Sequence, residues 1–463
     1  MAVTTSSDVM SDAIERLAEH VNGTSFEDIP DDAIISAKTF ILDTFGVAIA
    51  GSVGPFVAEL IETARGWGEG DDAAVWGTDI RLPAPSAALI NAYQGHNSEF
   101  DAIHERAVIH PLASILASLM AVAERGDGLS GQDLLTAAVL GVDVSCSIGM
   151  GATETLKFFR PATAGSFGAV AALGKAYELG ADELISSFGI QLGQIGGTMQ
   201  AHEEGSPLLG MQLGFCTRAA VTSHDLATRG LNGSRKVLEG NYGYYGLFEG
   251  GVNIETGLAG LGVDWRVQGI SHKPFPSGRA THGVIDGLLT LRAEHGIEAR
   301  DVEEVSAEVP PLVYQLTGRP MIAEPGVNYA RLCIPYVGAV ALLKGSVGIG
   351  DFGEESLCDE NIHSLAERFN VAIRDVGDPN ALVPQTVAIR MKDGREYSVQ
   401  LDEVIGSPVK PLSHERHLEK FRRNWLSGAR PLDPTRGERM IELVDALEDL
   451  EECSDLVDLM TAA

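Results

Sequence analysis

AKTFILDTFGVAIAG, residues 37–51, is apolar nearly all round, with no polar stripe at the helical period. A helix with that pattern is enclosed on every side, and only other helices around it can supply the cover. The preceding Asp28-Ile29-Pro30-Asp31-Asp32 reads as a loop into a helix start, because proline and acids suit a first helical turn. A large all-helical domain is therefore predicted. Outward from this stretch, amphipathic helical patterns recur from about Asp12 to Gly262, with helices expected at Pro85–Gln94, Pro111–Ala123, Gly131–Met150, Gly165–Leu179, Ala181–Gln194 and Met211–Ala227.

The texture changes near Asp264. Short β-prone runs at Trp265–Ile270, Val302–Val309 and Thr386–Met391 alternate with helical stretches at Thr281–His295, Tyr329–Lys344 and Asp359–Phe369, an α+β pattern. Lys392-Asp393-Gly394-Arg395 carries an Asp-Gly turn signal and predicts a hairpin. Helices return at Leu418–Ser427 and Arg436–Met460. The expected fold is mostly α: a large all-helical domain of residues 1–263 with 409–463, and a smaller α+β lid domain of residues 264–408.

With 463 residues the chain exceeds what one core accommodates, and its balance of 44% hydrophobic to 21% charged residues is that of a globular enzyme. The formal charge of −31 repels phosphate backbones and anionic lipid, which excludes nucleic acid and membrane surfaces as partners. An anionic substrate would need a local cluster of Lys, Arg and His set against that field. Cys146, Cys216, Cys333, Cys358 and Cys453 are scattered, without CxxC or zinc spacing, so neither disulfides nor an iron–sulfur cluster is expected. Met1–Met10 has no basic region followed by an apolar core, and no apolar stretch is read as a membrane span of about 20 residues. A cytoplasmic protein is expected.

The densest chemical cluster is Glu99-Phe100-Asp101-Ala102-Ile103-His104-Glu105-Arg106-Ala107-Val108-Ile109-His110-Pro111. It leads into a helix start that favours anions, where His104 or His110 could act as acid or base near neutral pH. It reads equally as a surface salt network of Glu99, Asp101 and Arg106. His104 and His110 are six apart and the segment is not HExxH, so no metal is expected. A second cluster, Lys273-Pro274-Phe275-Pro276-Ser277-Gly278-Arg279-Ala280-Thr281-His282, places Lys273, Arg279 and His282 on a stiff loop before a helix, a cationic island for an anion. In Phe158–Gly168, Arg160 could clamp a carboxylate through its planar fork, whereas Gly165 and Gly168 suit close helix packing. Tyr336 could offer a phenol to substrate or sit buried on a backbone group. His202, His224, His295 and the acids of 448–452 read as core or surface features. GxSxG and GxxxxGK[ST] motifs are absent and the glycines of 158–168 are not a GxGxxG, which leaves acid–base chemistry on an anion.

Taken together, ILDTFGVAIAGS (41–52), EFDAIHERAVIHP (99–111), FRPATAGSFGA (159–169), KPFPSGRATHGVID (273–286) and YARLCIPYVGAVALLKG (329–345) resemble the MmgE/PrpD family over nearly the whole chain. The resemblance implies a helical domain with an α+β lid, a site between them, a homodimer, and neither metal nor organic cofactor. It implies that Asp101, His104, His110 and Lys273 supply the acid–base groups, with Tyr336 lining the cleft and Arg160 and Arg279 holding a small polycarboxylate; His282 of the cationic island is expected to bind substrate beside them. The implied activity is a lyase that abstracts a proton beside a carboxylate, by dehydration or decarboxylation. An epimerase using the same residues and an inactive polycarboxylate-binding protein are the alternatives. This chain departs from the pattern at Ala102 and Ile103, where members often carry Asp and Thr, at Arg160, where some have His, and at Met211–Gly214, which lacks a common lysine.

Overall fold

Helix α1, Asp31–Gly51, contains the opening stretch, and every residue from Phe40 to Gly51 is buried. The computed structural model describes residues 12–461 except Pro379, so the Met1–Met10 segment lies outside the described residues. Against α1 pack α2 (Ala84–His96), α3 (Pro111–Val122) and α4 (Gly131–Met150), and α5 (Ala164–Ala176) and α6 (Leu208–Ala227) pack on those three in the same core. Helices α1 and α4 are 21 and 20 residues long and apolar enough to pass for membrane spans, which corrects the expectation that no such stretch exists. Their apolar windows are 78% and 94% buried inside the protein, so both serve as core helices. At the α4–α5 crossing, a Cβ on Gly168 would stand 2.5 Å from the Gly141 carbonyl oxygen. Only glycine allows that approach.

A second core gathers Phe275, Val284, Leu288, Val305, Val337, Ile389 and their neighbours. Its sheet holds β3 (Val302–Val309), β4 (Phe369–Ile373), β5 (Gln385–Met391) and β6 (Glu396–Leu401), in the order β4-β3-β5-β6. Strand β4 runs parallel to β3 (Ser306 opposite Asn370), and the other pairs are antiparallel, with β5–β6 closed by the Asp-Gly turn. Alternation along β3 buries Val305, Ala307 and Val309, and an irregular register between Val302 and Glu304 lets Val302 join them. Helices α7 (His282–His295) and α8 (Ile334–Lys344) pack on this sheet or on each other.

Several element expectations are corrected. Trp265–Ile270 is not a strand: a 3₁₀ turn, Arg266–Gly269, precedes a two-residue strand β2 (Ile270–Ser271), and Trp265, Val267 and Ile270 pack in the first core. The stretch 329–344 is two helices, Val327–Arg331 and α8, because Pro335 has no N–H to continue the first helix's ladder and is tolerated only in the first turn of a new one, with Cys333 extended between them. The helix expected at 359–369 ends at Ala366 and gives way to β4. The one expected at 436–460 is broken into Pro434–Asp445 and Ser454–Met460. Helix α9 (His414–Trp425) returns to the first core through Phe421 and Trp425.

Candidate active site

The site grows from the loop between α2 and α3. His96 is the last residue of α2, and His110 immediately precedes Pro111 at the start of α3. Between them Glu99 and Val108 hold left-handed backbone, at φ 52° and 54°. Non-glycine residues adopt that region at a cost of roughly 1–3 kcal/mol, tolerated where surrounding contacts over-determine it. Strand β1 (Ile103–His104) pairs antiparallel with β2, His104 opposite Ile270 and Ile103 opposite Ser271. This pairing delivers Lys273, two residues beyond β2, to the Glu99–Asp101 turn.

Lys273 is fully buried, with Nζ donating to Glu99 Oε2 at 2.9 Å and to the Glu99 carbonyl at 3.2 Å, 4.0 Å from Asp101 Oδ1. Asp101 meets two imidazoles: His96 Nδ1 lies 3.0 Å from Oδ2 and His110 Nδ1 lies 3.2 Å from the same oxygen. The two rings meet edge to face at 4.7 Å. Burial opposes ionisation of Asp101, yet His110 and His96 outweigh it and hold the carboxyl well below its usual range. Burial likewise opposes charge on Glu99, but Lys273 and the two histidines pull it down to about 2. Burial works against charge on His96, but Asp101 carries the balance and raises it. For His110 burial prevails over Asp101, and its pKa is lowered. The result is a carboxylate between an imidazole biased toward charge and one biased toward neutrality.

His110 and Glu99 line a cavity of about 70 Å³, together with Phe159, Leu209 and Leu332, which pack in one small buried cluster of their own, and Leu156, Leu312 and Leu316. A largely apolar lining with a few convergent polar groups is the character of a small-molecule site. Arg279 and Glu105 form one edge, Arg279 Nε donating to Glu105 Oε1 at 2.8 Å.

The candidate residues divide. Asp101, His110 and Lys273 come together as described. His104 does not join them: it is buried on the far side of the β1–β2 pair, its Nδ1 accepting from Ala107 N–H, and burial pushes its pKa down to about 4. Arg160 does not reach the cavity as a free clamp, because Glu249 holds it through both Nε and Nη2. Arg279 lines the cavity, but its donors also reach the carbonyls of Ile405, Val404 and His272. His282 is buried 3.4 Å from Arg279 Nη1, a support for that side chain. Tyr336 lies in the second core, its hydroxyl donating to the Asp351 carbonyl at 2.6 Å, because its place in the first turn of α8 turns it inward.

Three participants were missed. Glu99 stood in the cluster but had no role apart from a surface salt network, and it is buried. His96 lies just past the predicted end of its helix, and its spacing of three from Glu99 was the available signal. His202, read as a lone feature, lines the cavity, its Nδ1 3.2 Å from Arg319 Nη2, with burial lowering its pKa to about 4. Behind the site lies a further buried group: Lys420 Nζ lies 2.8 Å from Asp43 Oδ1 and donates to the Phe100 carbonyl at 2.9 Å, and His272 Nε2 lies 3.2 Å from His417 Nδ1.

His96, Asp101 and His110, and likewise Asp43, His272 and His417, bring three potential ligand atoms within 4.8 Å of one another. In each group a buried lysine already stands beside the carboxylate, Lys273 by Asp101 and Lys420 by Asp43. An ammonium in that place competes with a metal cation, so we treat both groups as acid–base and ion-pair clusters.

Comparison with known proteins adds sequence relatives. The model of the MmgE/PrpD N-terminal domain matches residues 15–256, and that of the MmgE/PrpD C-terminal domain matches residues 275–449. The cis-aconitate decarboxylase of Homo sapiens is 27% identical, the alignment covering 96% of this chain and 94% of that protein. The cis-aconitate decarboxylase of Mus musculus is 26% identical, at 98% and 94% coverage. The Aspergillus terreus protein of the same name is 24% identical, at 98% and 97%.

Proposed function

The chain belongs to the MmgE/PrpD family, and from that premise we propose that it is a lyase moving a proton at a carbon next to a carboxylate, by decarboxylation or dehydration of a small di- or tricarboxylate. The carrying observation is the His96–Asp101–His110 array beside the Lys273–Glu99 pair, of which His110 and Glu99 line a largely apolar cavity. The three relatives bear the name cis-aconitate decarboxylase, which supports the carboxy-lyase form.

His110 is the acid–base group in this reading. Asp101 engages its Nδ1 and leaves Nε2 for the substrate, and the carboxylate stabilises the imidazolium each time it forms. Lys273 supplies the positive charge toward which an enolate-like or carbanionic charge develops, in surroundings that exclude water and so strengthen the attraction. Glu99, which lines the cavity, holds that ammonium at 2.9 Å. Positioned acid–base transfer contributes about 10²–10⁴-fold to a rate.

The test incubates the protein in deuterated buffer with di- and tricarboxylates, cis-aconitate among them, followed by proton NMR. A new alkene or decarboxylated product carrying deuterium, lost in His110→Gln, is the expected result. Deuterium entering one position with no net product would replace the lyase by an epimerase, and no change with any acid would overturn both.

A further inference from the structure

Arg319 makes no ion pair among the described residues. Its Nη2 lies 3.2 Å from His202 Nδ1 and donates to the carbonyls of His202 at 3.0 Å and Leu316 at 3.3 Å, its Nη1 reaches the Glu203 carbonyl at 3.5 Å, and the group lies over the Tyr329 ring. Burial lowers its pKa, and the acids Glu203 and Glu99 pull the other way without pairing. A guanidinium only donates and stays charged, so His202 Nδ1 accepts from Arg319 and the ring's proton stands on Nε2. Burial, with Arg319 beside it, keeps that ring neutral down to about 4. Its Nε2 has no partner among the described residues, yet it is not one of the sealed unpaired atoms, so a void reaches it. His202 and Met199 stand in the wall between two voids: the inner cavity of His110 and Glu99, and an outer cleft of about 330 Å³ lined by Tyr314, Gln315, Gly318 and Arg319.

The two nitrogens of an imidazole point away from each other, so a ring that turns Nδ1 to Arg319 in the outer cleft leaves Nε2–H to the inner cavity. A histidine with a purely structural place spends that group on a carbonyl, as His282 Nε2 does on Ser277 and His363 Nε2 on Leu357. The other arginines near the site are committed, Arg279 to Glu105 and three carbonyls and Arg160 to Glu249. We propose that His202 is a substrate-binding residue whose Nε2–H donates to the substrate carboxylate remote from the reacting carbon, and that Arg319 is the positioning residue that fixes its tautomer and sets a positive charge behind the ring. This rests on the acid–base reading of the site given above and names the group that holds the second carboxylate. A carboxylate entering the cavity gives up water, and a donor polarised by the adjoining guanidinium offsets that loss where a neutral apolar wall does not.

The experiment uses the full-length protein labelled with ¹⁵N-histidine, the His202 signals being assigned by their loss in His202→Phe. In the wild type we expect His202 protonated at Nε2 alone, and that signal to move when tricarballylate, a saturated tricarboxylate, is titrated in. By calorimetry, His202→Phe and Arg319→Met should each weaken tricarballylate by about tenfold or more, the worth of a hydrogen bond to a charged group. Arg319→Lys, which keeps a charged donor, should restore most of that affinity and the Nε2-protonated ring. A proton on Nδ1 in the wild type, a His202 signal indifferent to tricarballylate, no binding of tricarballylate to the wild type, or unchanged affinity in both variants overturns the proposal. If that happens while an acid such as cis-aconitate is converted, the lyase reading stands and this one falls. If the binding effects appear and no acid is converted, the role of His202 and Arg319 is upheld and the lyase reading alone fails.

Discussion

Replacing Lys420 by methionine isolates the buried ion pair that ties the end of the chain to its beginning. The ammonium lies 2.8 Å from Asp43 Oδ1 and 3.0 Å from Oδ2, donates to the Phe100 carbonyl at 2.9 Å, and sits 4.1 Å above the centroid of the Phe100 ring. Methionine keeps most of the volume but leaves the Asp43 carboxylate buried without its cation, and His272, held neutral down to about 3, cannot replace it at neutral pH. Breaking a buried pair from one side costs about 3–5 kcal/mol. With an unfolding entropy of about 2.1 cal/mol/K per residue, a chain of this length converts that to a fall of roughly 3–5 °C in Tm. Urea denaturation and calorimetry should report the loss. Asp43→Asn added to Lys420→Met should then recover about 1 kcal/mol or more, since the second change removes the stranded charge. A loss under about 1 kcal/mol, or a double variant whose costs simply add, would refute the assignment of this pair as a coupled buried one.

Other expectations follow from the same geometry. His110→Gln should lower turnover by about 10²–10⁴-fold, with binding of a saturated substrate analogue, read by calorimetry, changed less than threefold. Burial keeps His104, His202 and His272 neutral down to about 4, 4 and 3, whereas the unfolded chain protonates near 6.5. Their folded values are depressed, so their contribution to stability is present above pH 6.5 and is lost as pH falls toward 4 and then 3, by up to about 4 kcal/mol per pH unit. Glu99, held at about 2, adds a further loss below about 4.5. Tm measured from pH 8 to 4 should be flat and then fall steeply, and a flat profile throughout would contradict the buried neutral state. The −31 charge repels an anionic substrate, so kcat/KM below saturation should rise with salt between about 0.01 and 0.15 M as the Debye length shrinks from 30 to 8 Å. Leu208, Phe215 and Leu226 form an exposed apolar stripe on α6, beside Trp67, over which Arg218 lies. If that stripe is the homodimer face, Phe215→Glu should yield monomer by light scattering.

Fold class was legible because period carries it. The all-round apolar stretch of α1 and the fully buried α3 admit no solvent face, and β3 and β5 show alternation that a period of two identifies. The failures are local. Pro335 splits a helical pattern that is continuous in hydropathy, and β4 has only partly buried and exposed residues, so no alternation marked it. In the site, Asp101, His110 and Lys273 could be picked out because they sit in dense clusters of chemical residues. The opposite roles of His104 and His110 could not, because they depend on which side of the two-residue β1–β2 pair each ring falls. The partners of Arg160 and Arg279 were equally hidden. Glu249 is 89 residues from Arg160, and Glu105 is 174 from Arg279. A clamp inferred from a planar guanidinium is only as free as its neighbours leave it.

The strained turn explains why so many distant segments meet here. Glu99 holds φ at 52°, and contacts from five parts of the chain fix its surroundings: His96 from α2, Lys273 after β2, Arg331 on the Asn97 carbonyl, Lys420 on the Phe100 carbonyl, and Asp43 behind Lys420. A backbone cost of roughly 1–3 kcal/mol is small beside those charged contacts taken together. None of them exists in the isolated 97–110 segment, so the site's geometry is a property of the docked chain and not of its local sequence. Lys273 and Arg331 belong to segments at the second core and the turn to the first, so any separation of the two cores withdraws the cation from Glu99 and the donor from Asn97 together. Assembly of the reactive groups and closure of the cavity are thereby the same event.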